Sequence, residues 1–441
     1  MRATVYLTAL WLIICSPLVT SAQESTTPLT QHYSNNGTLR KLTGFALLRS
    51  PQLRDAESTW HASQLDVNDV KGARWPRIDL TANSKSKVFG SGNPYGNGTT
   101  NRASLTVSYT LYDGGKIGKQ ISVKEYLSQS ANAKYKQVRE QTVFDTATAY
   151  LQILKYRRLV DLHQQYIERL ELLVEKMSAI VQTISGRRSE LTQATARLLQ
   201  ARENKFAAEF KLREFEIQLA KLVSPENLAL TLRDDVPNIG PITLEMAKLA
   251  AVNSHPLLAS SDAERMALNS SAEAIRAGNY WPTFDIQATK TSGVDIMGYS
   301  DPGQMYVSVK WNLFQGFSGR SQEKAVLERA GAAQERYRQT IFEIEYKLDS
   351  SWSDYSNQSA RVESLKALSV STEQVRSDYF TQWETLGRRT LLEVLTAENE
   401  HFSTLVNLAN SELDQQLAMA RLRFESGTLA TWMFGDGQVI P

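Results

Sequence analysis

Cysteine is almost missing from this sequence: Cys15 is the only one in 441 residues. It falls in the first 22 residues, where Arg2, the apolar run TVYLTALWLIIC and the small residues Thr20, Ser21 and Ala22 before Gln23 read as a cleaved signal peptide. The run is too short to span a bilayer comfortably as an anchor. Ile14, not a small residue, precedes Cys15, which argues against lipidation. The processed chain is therefore expected to carry no thiol, which excludes disulfides and cysteine-ligated metal.

Other features are also lacking. No later stretch approaches ~18 consecutive apolar residues, so a helical transmembrane span is excluded, and any membrane crossing falls to strands. Charge of one sign is lacking as well: 49 basic residues stand against 47 acidic ones, for a net +2, and nothing points to nucleic acid. The five histidines, at 32, 61, 163, 255 and 401, show no metal-ligand spacing, and His163 reads as a tolerated residue in a helix seam. Neither HExxH nor GxSxG occurs, so no constellation supports an enzyme or a cofactor.

What the chain does contain, it contains twice. ARWPRIDLTANSK (73–85) returns as NYWPTFDIQATK (279–290), LTVSYTLYDGG (105–115) as VSVKWNLFQGF (307–317), and SPQL (50–53) as SHPLL (254–258). GRRSELTQA (186–194) returns as GRRTLLEVLTA (387–397), the first copy shorter by two residues. These anchors keep their order at offsets of 201 to 206, the mark of an internal duplication. In each half a helix-like run (about 45–73 and 243–278) precedes Trp-Pro. Two alternating segments around a small, polar loop follow, then a long helical run, a Gly-Arg-Arg turn and a returning helix.

The alternating segments have period two. Ala103, Leu105, Val107, Tyr109 and Leu111 interleave with Ser104, Thr106, Ser108 and Thr110; Met305, Val307, Val309, Trp311 and Leu313 interleave with Tyr306, Ser308, Lys310 and Asn312. From 77 to 88, Ile78, Leu80, Ala82 and Val88 oppose Arg77, Asp79, Thr81, Asn83, Lys85 and Lys87. A half-buried soluble sheet would show the same pattern. Segments of ~10–12 residues suit a tilted membrane strand, and Trp75, Tyr109, Tyr112, Trp281, Trp311 and Phe314 gather at one end as an interfacial girdle. The loops GSGNPYGNGTTN and GVDIMGYSDPG occupy the other end. The first is not a nucleotide loop, because no Gly-Lys-Ser/Thr follows and no helix starts there. Four strands cannot close a barrel, so copies of the chain must share one; two copies give eight strands, three give twelve.

Proline is absent from about 117 to 184, a run that spans roughly 100 Å as a helix. Ile153, Tyr156, Val160, His163, Ile167, Leu170, Val174, Met177, Val181 and Ile184 form a heptad seam. Leu159, Leu162, Tyr166, Leu173 and Ile180 form a second stripe beside it, so two neighbours are expected. The counterpart at about 318–385 carries Leu348, Trp352, Tyr355, Val362 and Leu365.

The duplicated halves, the Trp-Pro before a strand, LYDGG and LFQGF, and TLGRRTLLEVLTAENEHF together resemble the TolC family of outer-membrane efflux and secretion channels, over about 40–427. That resemblance implies an α plus membrane β-barrel fold: long antiparallel coiled-coil helices with two β-hairpins per chain, and a homotrimer whose twelve-stranded barrel continues as an α-helical periplasmic tunnel. It divides the chain into a signal peptide (1–22), an N-terminal periplasmic segment (23–44), a first repeat (45–223; hairpin 76–112, tip 185–190) and an equatorial linker with a short strand (224–242). A second repeat (243–427; hairpin 282–315, tip 386–393) and a C-terminal tail (428–441) complete it. In the linker, Asp234 and Asp235 read as solvated.

By the same resemblance the tips form a periplasmic gate. Arg389 matches a gating arginine, Glu393 an acidic ring residue and Glu190 its acidic partner on the other tip, with Arg388, Arg187 and Arg188 beside them. Inter-protomer Arg–carboxylate pairs would hold the bore shut, and rings of like charge would filter ions. Gly186, Ser189, Gly387 and Thr390 mark where a periplasmic adaptor (membrane fusion protein) would dock. Thr396 stands where some members carry a second pore aspartate. The implied partners are outer-membrane lipid, the adaptor, and an inner-membrane ABC transporter or RND pump. Type I protein secretion, of large adhesin- or RTX-type cargo, is the expected role, with multidrug RND efflux as the alternative. A secreted structural coiled-coil protein is the reading from another class.

Overall fold

A computed structural model describes residues 37–85, 100–292 and 303–435. The predicted signal peptide with Cys15, the tips of both hairpin loops, Val88 and Lys87, and the last six residues of the tail lie outside the described residues.

Helix α1 (Gly37–Arg49) and α2 (Pro51–Gly72) lead into strands β1 (Arg77–Lys85) and β2 (Thr100–Tyr112). Helix α3 (Lys116–Thr183) descends 68 residues, and α4 (Arg188–Val223) returns after a single 3-10 turn. Helices α5 (Pro225–Thr231) and α6 (Leu244–Ser254) connect the halves. The second half repeats the order as α7 (Pro256–Tyr280), β3 (Thr283–Ser292), β4 (Gln304–Lys310), α8 (Ser318–Glu384) and α9 (Leu391–Glu425), and α10 (Leu429–Phe434) follows.

The runs before each Trp-Pro, expected as single helices, are each two. Proline cannot continue a helix but suits its first position. Pro51 and Pro256 each start a new helix, with Ser50 Oγ accepting from Leu53 N (3.2 Å) and His255 Nδ1 accepting from Leu257 N (3.2 Å). Burial lowers the pKa of His255 to about 4, with Lys347 adding to the effect, so the cap stays neutral and able to accept. The short strand expected in 224–242 is instead α5. Its Leu/Ala/Leu/Thr/Leu alternation is overruled by Ser224, whose Oγ caps Asn227 N, and by Pro225 in the first turn.

Helices α3 and α8 are the continuous staves. The upper part of α3 packs against α2 and α7, its lower part against α4 and α9; α8 lies between α7 above and α9 below. Two stripes on α3 are therefore used. Leu159, Leu162, Tyr166 and Leu173 of the second stripe are as buried as Ile153, Ile167, Leu170 and Met177 of the first. Ile184, at the foot of the first stripe, is exposed. Helix α7 meets α3 with small residues: Ser260, Ala263, Ala267, Ser270, Ala274 and Ala277 are all buried at alternating spacings of three and four. Small side chains let the two backbones approach closely, and Ser130 and Ser260 share a hydrogen bond of 2.9 Å across that seam.

The core sits at the equator, where α1, α6 and α10 cover the joint between upper and lower helices. Leu39, Leu42, Val143, Tyr150, Leu151, Ile153, Leu219, Leu348, Met419, Leu422, Leu429 and Phe434 pack there. Asp234 and Asp235 are exposed, as expected of solvated residues, and both are also bonded. Arg157 holds Asp234 at 2.6 Å, and Asp235 Oδ1 accepts from Thr38 Oγ1 at 2.8 Å and from the Tyr150 hydroxyl at 3.3 Å. The linker thus ties α1 to α3. The tail is anchored too. Both carboxylate oxygens of buried Glu140 accept from Ala430 N, at 3.0 and 3.2 Å.

Desolvation pushes the Glu140 pKa up to about 7, against the opposing pull of the Ala430 N–H and of Arg139. An acid whose folded pKa is raised contributes its full stability below the unfolded value and loses it as pH rises through the folded one. Between pH 4.5 and about 7 the ionising carboxylate therefore costs about 3 kcal/mol in all. Replacing Glu140 with Gln, which still accepts from Ala430, should flatten this slope. Thermal melts followed by circular dichroism should show the native chain losing stability from pH 5 to 8 and E140Q losing less.

Candidate functional site

The four strands form one antiparallel sheet in the order β1-β2-β3-β4, so the hairpins of the two repeats are joined through β2 and β3. One face is polar and bonded across strands. Thr110 Oγ1 donates to Asp285 at 2.7 Å and Tyr306 donates to Gln287 at 2.6 Å, while Arg77 pairs with Asp79 along β1 at 3.0 Å. Thr106 and Thr289 also meet, at 3.4 Å. The other face is apolar and open: Leu80 is 74 % exposed and Met305 71 %. Among the described residues neither edge has a partner, so β1 and β4 present unpaired backbone along their outer sides.

The girdle residues lie where helix passes to strand. Trp75, Tyr109, Tyr112, Trp281, Trp311 and Phe314 are all exposed at that level. Strict alternation would put Tyr112 on the polar face. The register instead shifts between Thr110 and Tyr112, leaving Leu111 as the extra residue, so Tyr112 opposes Phe284. The two rings meet edge to face at 6.0 Å. A bulge has re-aimed an aromatic onto the apolar side, which no periodicity in the sequence announces. Gly114 is required here: its φ is +65°, and a Cβ would collide with the Trp281 side chain. The Trp-Pro of the second repeat is seated on the LYDGG turn of the first.

At the opposite end the two tips differ. The first is one 3-10 turn, Ser185–Arg187, in which Gly186 needs no positive φ. In the second, Gly387 has φ +61°. Arg187 grips Glu190 with two bonds of 3.0 and 2.8 Å, and that bond raises the arginine pKa. Arg389 donates to Glu393 at 2.7 Å and to Gln382 at 3.0 Å while lying 4.1 Å over the Tyr379 ring. Glu393 also closes a capping box with Thr390, and the Thr390 N–H, then Arg389, holds its carboxyl below the usual range. The structure therefore brings Arg187 to Glu190 and Arg389 to Glu393, each within one turn. It does not bring Glu190 to Arg389. Arg388, Arg188, Ser189 and Thr390 lie at the tips, and Arg388 is exposed.

Sequence reading missed a charged cluster one helical level above the second tip. Arg376 is buried, bonds Glu398 at 3.1 Å and chelates Glu373, whose other contact is His401 at 3.0 Å. Glu398 is 4 % exposed; burial raises its pKa and Arg376 opposes that. On a helix as polar as α8, these charges look solvated until α9 covers them. Among the described residues no group of His, Cys, Asp and Glu could hold a metal ion, and no helix is long and apolar enough to cross a membrane.

The profile of the family described as outer membrane efflux protein matches residues 42–224 and again 249–428. The chain belongs to that family. The two matches fall one on each repeat. Similar proteins include the outer membrane efflux protein BepC of Brucella suis, 20% identical over 92% of this chain and 86% of that protein. The outer membrane protein TolC of Escherichia coli is 22% identical over 87% and 81%. Among solved structures, the outer-membrane channel OprN superposes with a TM-score of 0.78 at 20% identity, covering 90% of this chain and 91% of that one. The chain is an outer-membrane transport protein that extends into the periplasm. Its long helices and four-stranded sheet share the fold of those channels.

The buried cluster and the exposed tip pair should respond differently to loss of their arginines. Arg376→Ala strands the Glu398 carboxylate without its partner, at a cost of ~3–5 kcal/mol. Arg389→Ser removes an exposed pair, screened by solvent, and should cost far less. Apparent melting temperatures of the two variants check this, with R376A well below R389S.

Proposed function

We propose that three copies of this chain close a twelve-stranded barrel and act as the passive exit duct of a tripartite efflux system. The observation that carries the reading is the sheet itself: one bonded polar face, one open apolar face and two bare edges. In hydrocarbon each unsatisfied N–H or C=O costs several kcal/mol, so only a closed barrel is tolerable. The polar face then lines a water-filled bore and the apolar face meets lipid. Twelve strands rather than eight follows from the resemblance to trimeric channels. Helices α3 and α8 of each copy would continue the barrel as a tunnel wall.

Efflux is favoured over type I secretion. The tip motifs resemble secretion members, but the matched family is described as efflux protein, and BepC carries the same word in its name. The duct has no energy source of its own. Work would come from a proton-driven RND pump in the inner membrane, through an adaptor docked at Gly186, Ser189, Gly387 and Thr390.

The gate reading places Arg389, Glu393, Arg187 and Glu190 around the closed end, with Arg388 and Arg188 beside them. In one chain Arg187 and Arg389 are each satisfied within their own turn. Three copies would bring six such pairs to the narrowing bore, where Arg389 can exchange its own carboxylate for a neighbour's Glu190. Single-channel recording in planar bilayers tests this. Arg389→Ser should raise the conductance of the resting channel several-fold, and an unchanged current would remove Arg389 from the gate.

A further inference from the structure

The two repeats are not folded alike at one place. Strand β2 runs to Tyr112, whereas β4 stops at Lys310, and the matching residues 311–314 carry no strand. Pairs Arg77↔Ser108 and Thr283↔Lys310 fix the equivalence of the hairpins: β1 becomes β3 by adding 206, and β2 becomes β4 by adding 202. In β2, residues beyond Ser108 have no partner on β1; they are strand because β3 pairs with them, through Tyr109↔Ile286, Thr110↔Asp285 and Tyr112↔Phe284. Residues 311–314 lack that second neighbour, since β4 is the edge of the sheet.

The same asymmetry appears in the seat of the tryptophan. Trp281 covers Gly114. Its equivalent, Trp75, is 76 % exposed, and Gly316, the equivalent of Gly114, has open space out to 4 Å around the point where a Cβ would stand, although its φ of +58° keeps the turn geometry. Leu313 and Phe314 are 78 % and 74 % exposed beside it. One side of the chain offers a seat without an occupant; the other offers an occupant without a seat.

We infer that Trp75 of one copy sits on Gly316 of the next, and that residues 311–314 of this second copy become strand by pairing with 78–80 of the first. The occupant is a second copy of this chain, because the β2–β3 joint inside the chain is the template for the joint between chains. Carrying that register across predicts Val309↔Ala82 from Val107↔Ala288, and Phe314↔Ile78 from Tyr112↔Phe284. Leu313 becomes the bulge residue in place of Leu111. The inference rests on the multi-copy barrel proposed above and adds its register and its lock.

Disulfide trapping tests it, since Cys15 is the only native cysteine. Cβ atoms directly opposite in an antiparallel pair lie within disulfide reach, whereas those two residues out of register do not. Oxidation of membranes carrying V309C with A82C should convert the monomer band on a denaturing gel into dimer and trimer. V307C with A82C should stay monomeric. Strong trapping of the second pair, or none of the first, overturns the joint. Glutaraldehyde, which needs no register, is applied in parallel. A trimer ladder without V309C–A82C trapping would discard this joint and leave the shared barrel standing, while monomer alone would discard both. In a double-mutant cycle, Gly316→Ala should lower the trimer dissociation temperature more when Trp75 is present than in a Trp75→Ala background, because the backbone strain at Gly316 cancels. Equal losses would remove the tryptophan from the seat.

Discussion

Backbone hydrogen bonding in a solvent that offers none is the constraint on which this structure depends. A strand edge in water is a liability; in lipid it is prohibitive. The four strands of one chain pair with each other and leave β1 and β4 bare. No helix in the described residues offers another way across. The polar ladder of Thr106, Thr110, Asp285, Gln287 and Tyr306 has no use inside an apolar core, yet suits the wall of a water-filled bore.

The duplication meets this constraint economically. Each repeat supplies one hairpin, one continuous stave and one shorter helix pair, and the joint between repeats is made at β2–β3 and under Trp281. The helices below need no supercoil of two strands alone. Helix α3 buries two stripes because it has neighbours on both sides, large apolar residues below the equator and alanine and serine above. The equatorial helices clamp the middle through Tyr150, Asp235 and Glu140, so that the two levels act as one wall.

Much of this was legible in the sequence, for identifiable reasons. Period-two alternation is robust where one strand face is wet and the other is not, so Leu105 to Leu111 and Met305 to Val309 announced strands. The long helices declared themselves by lacking proline and repeating in heptads. Several features were hidden because local pattern gives no sign of them. The helical period runs straight through Pro51 and Pro256, which masks the breaks. Leu228, Leu230 and Leu232 alternate like a strand, and only Ser224 and Pro225 reveal the helix. The small-residue seam of α7 escapes a search for large apolar side chains. The turn motifs located both tips, but the pairing within each tip depends on turn geometry: Arg187 folds back on Glu190, and Arg389 on Glu393. The cluster around Arg376 was invisible because burial of a charge is decided by the partner helix, α9.

The central claim is that the sheet cannot exist in a membrane as one chain's four strands. The mass of the intact particle, measured by native mass spectrometry after extraction from membranes into detergent, tests it most directly. A particle of three chains agrees with the account. A stable particle of one chain, folded and inserted, would contradict it.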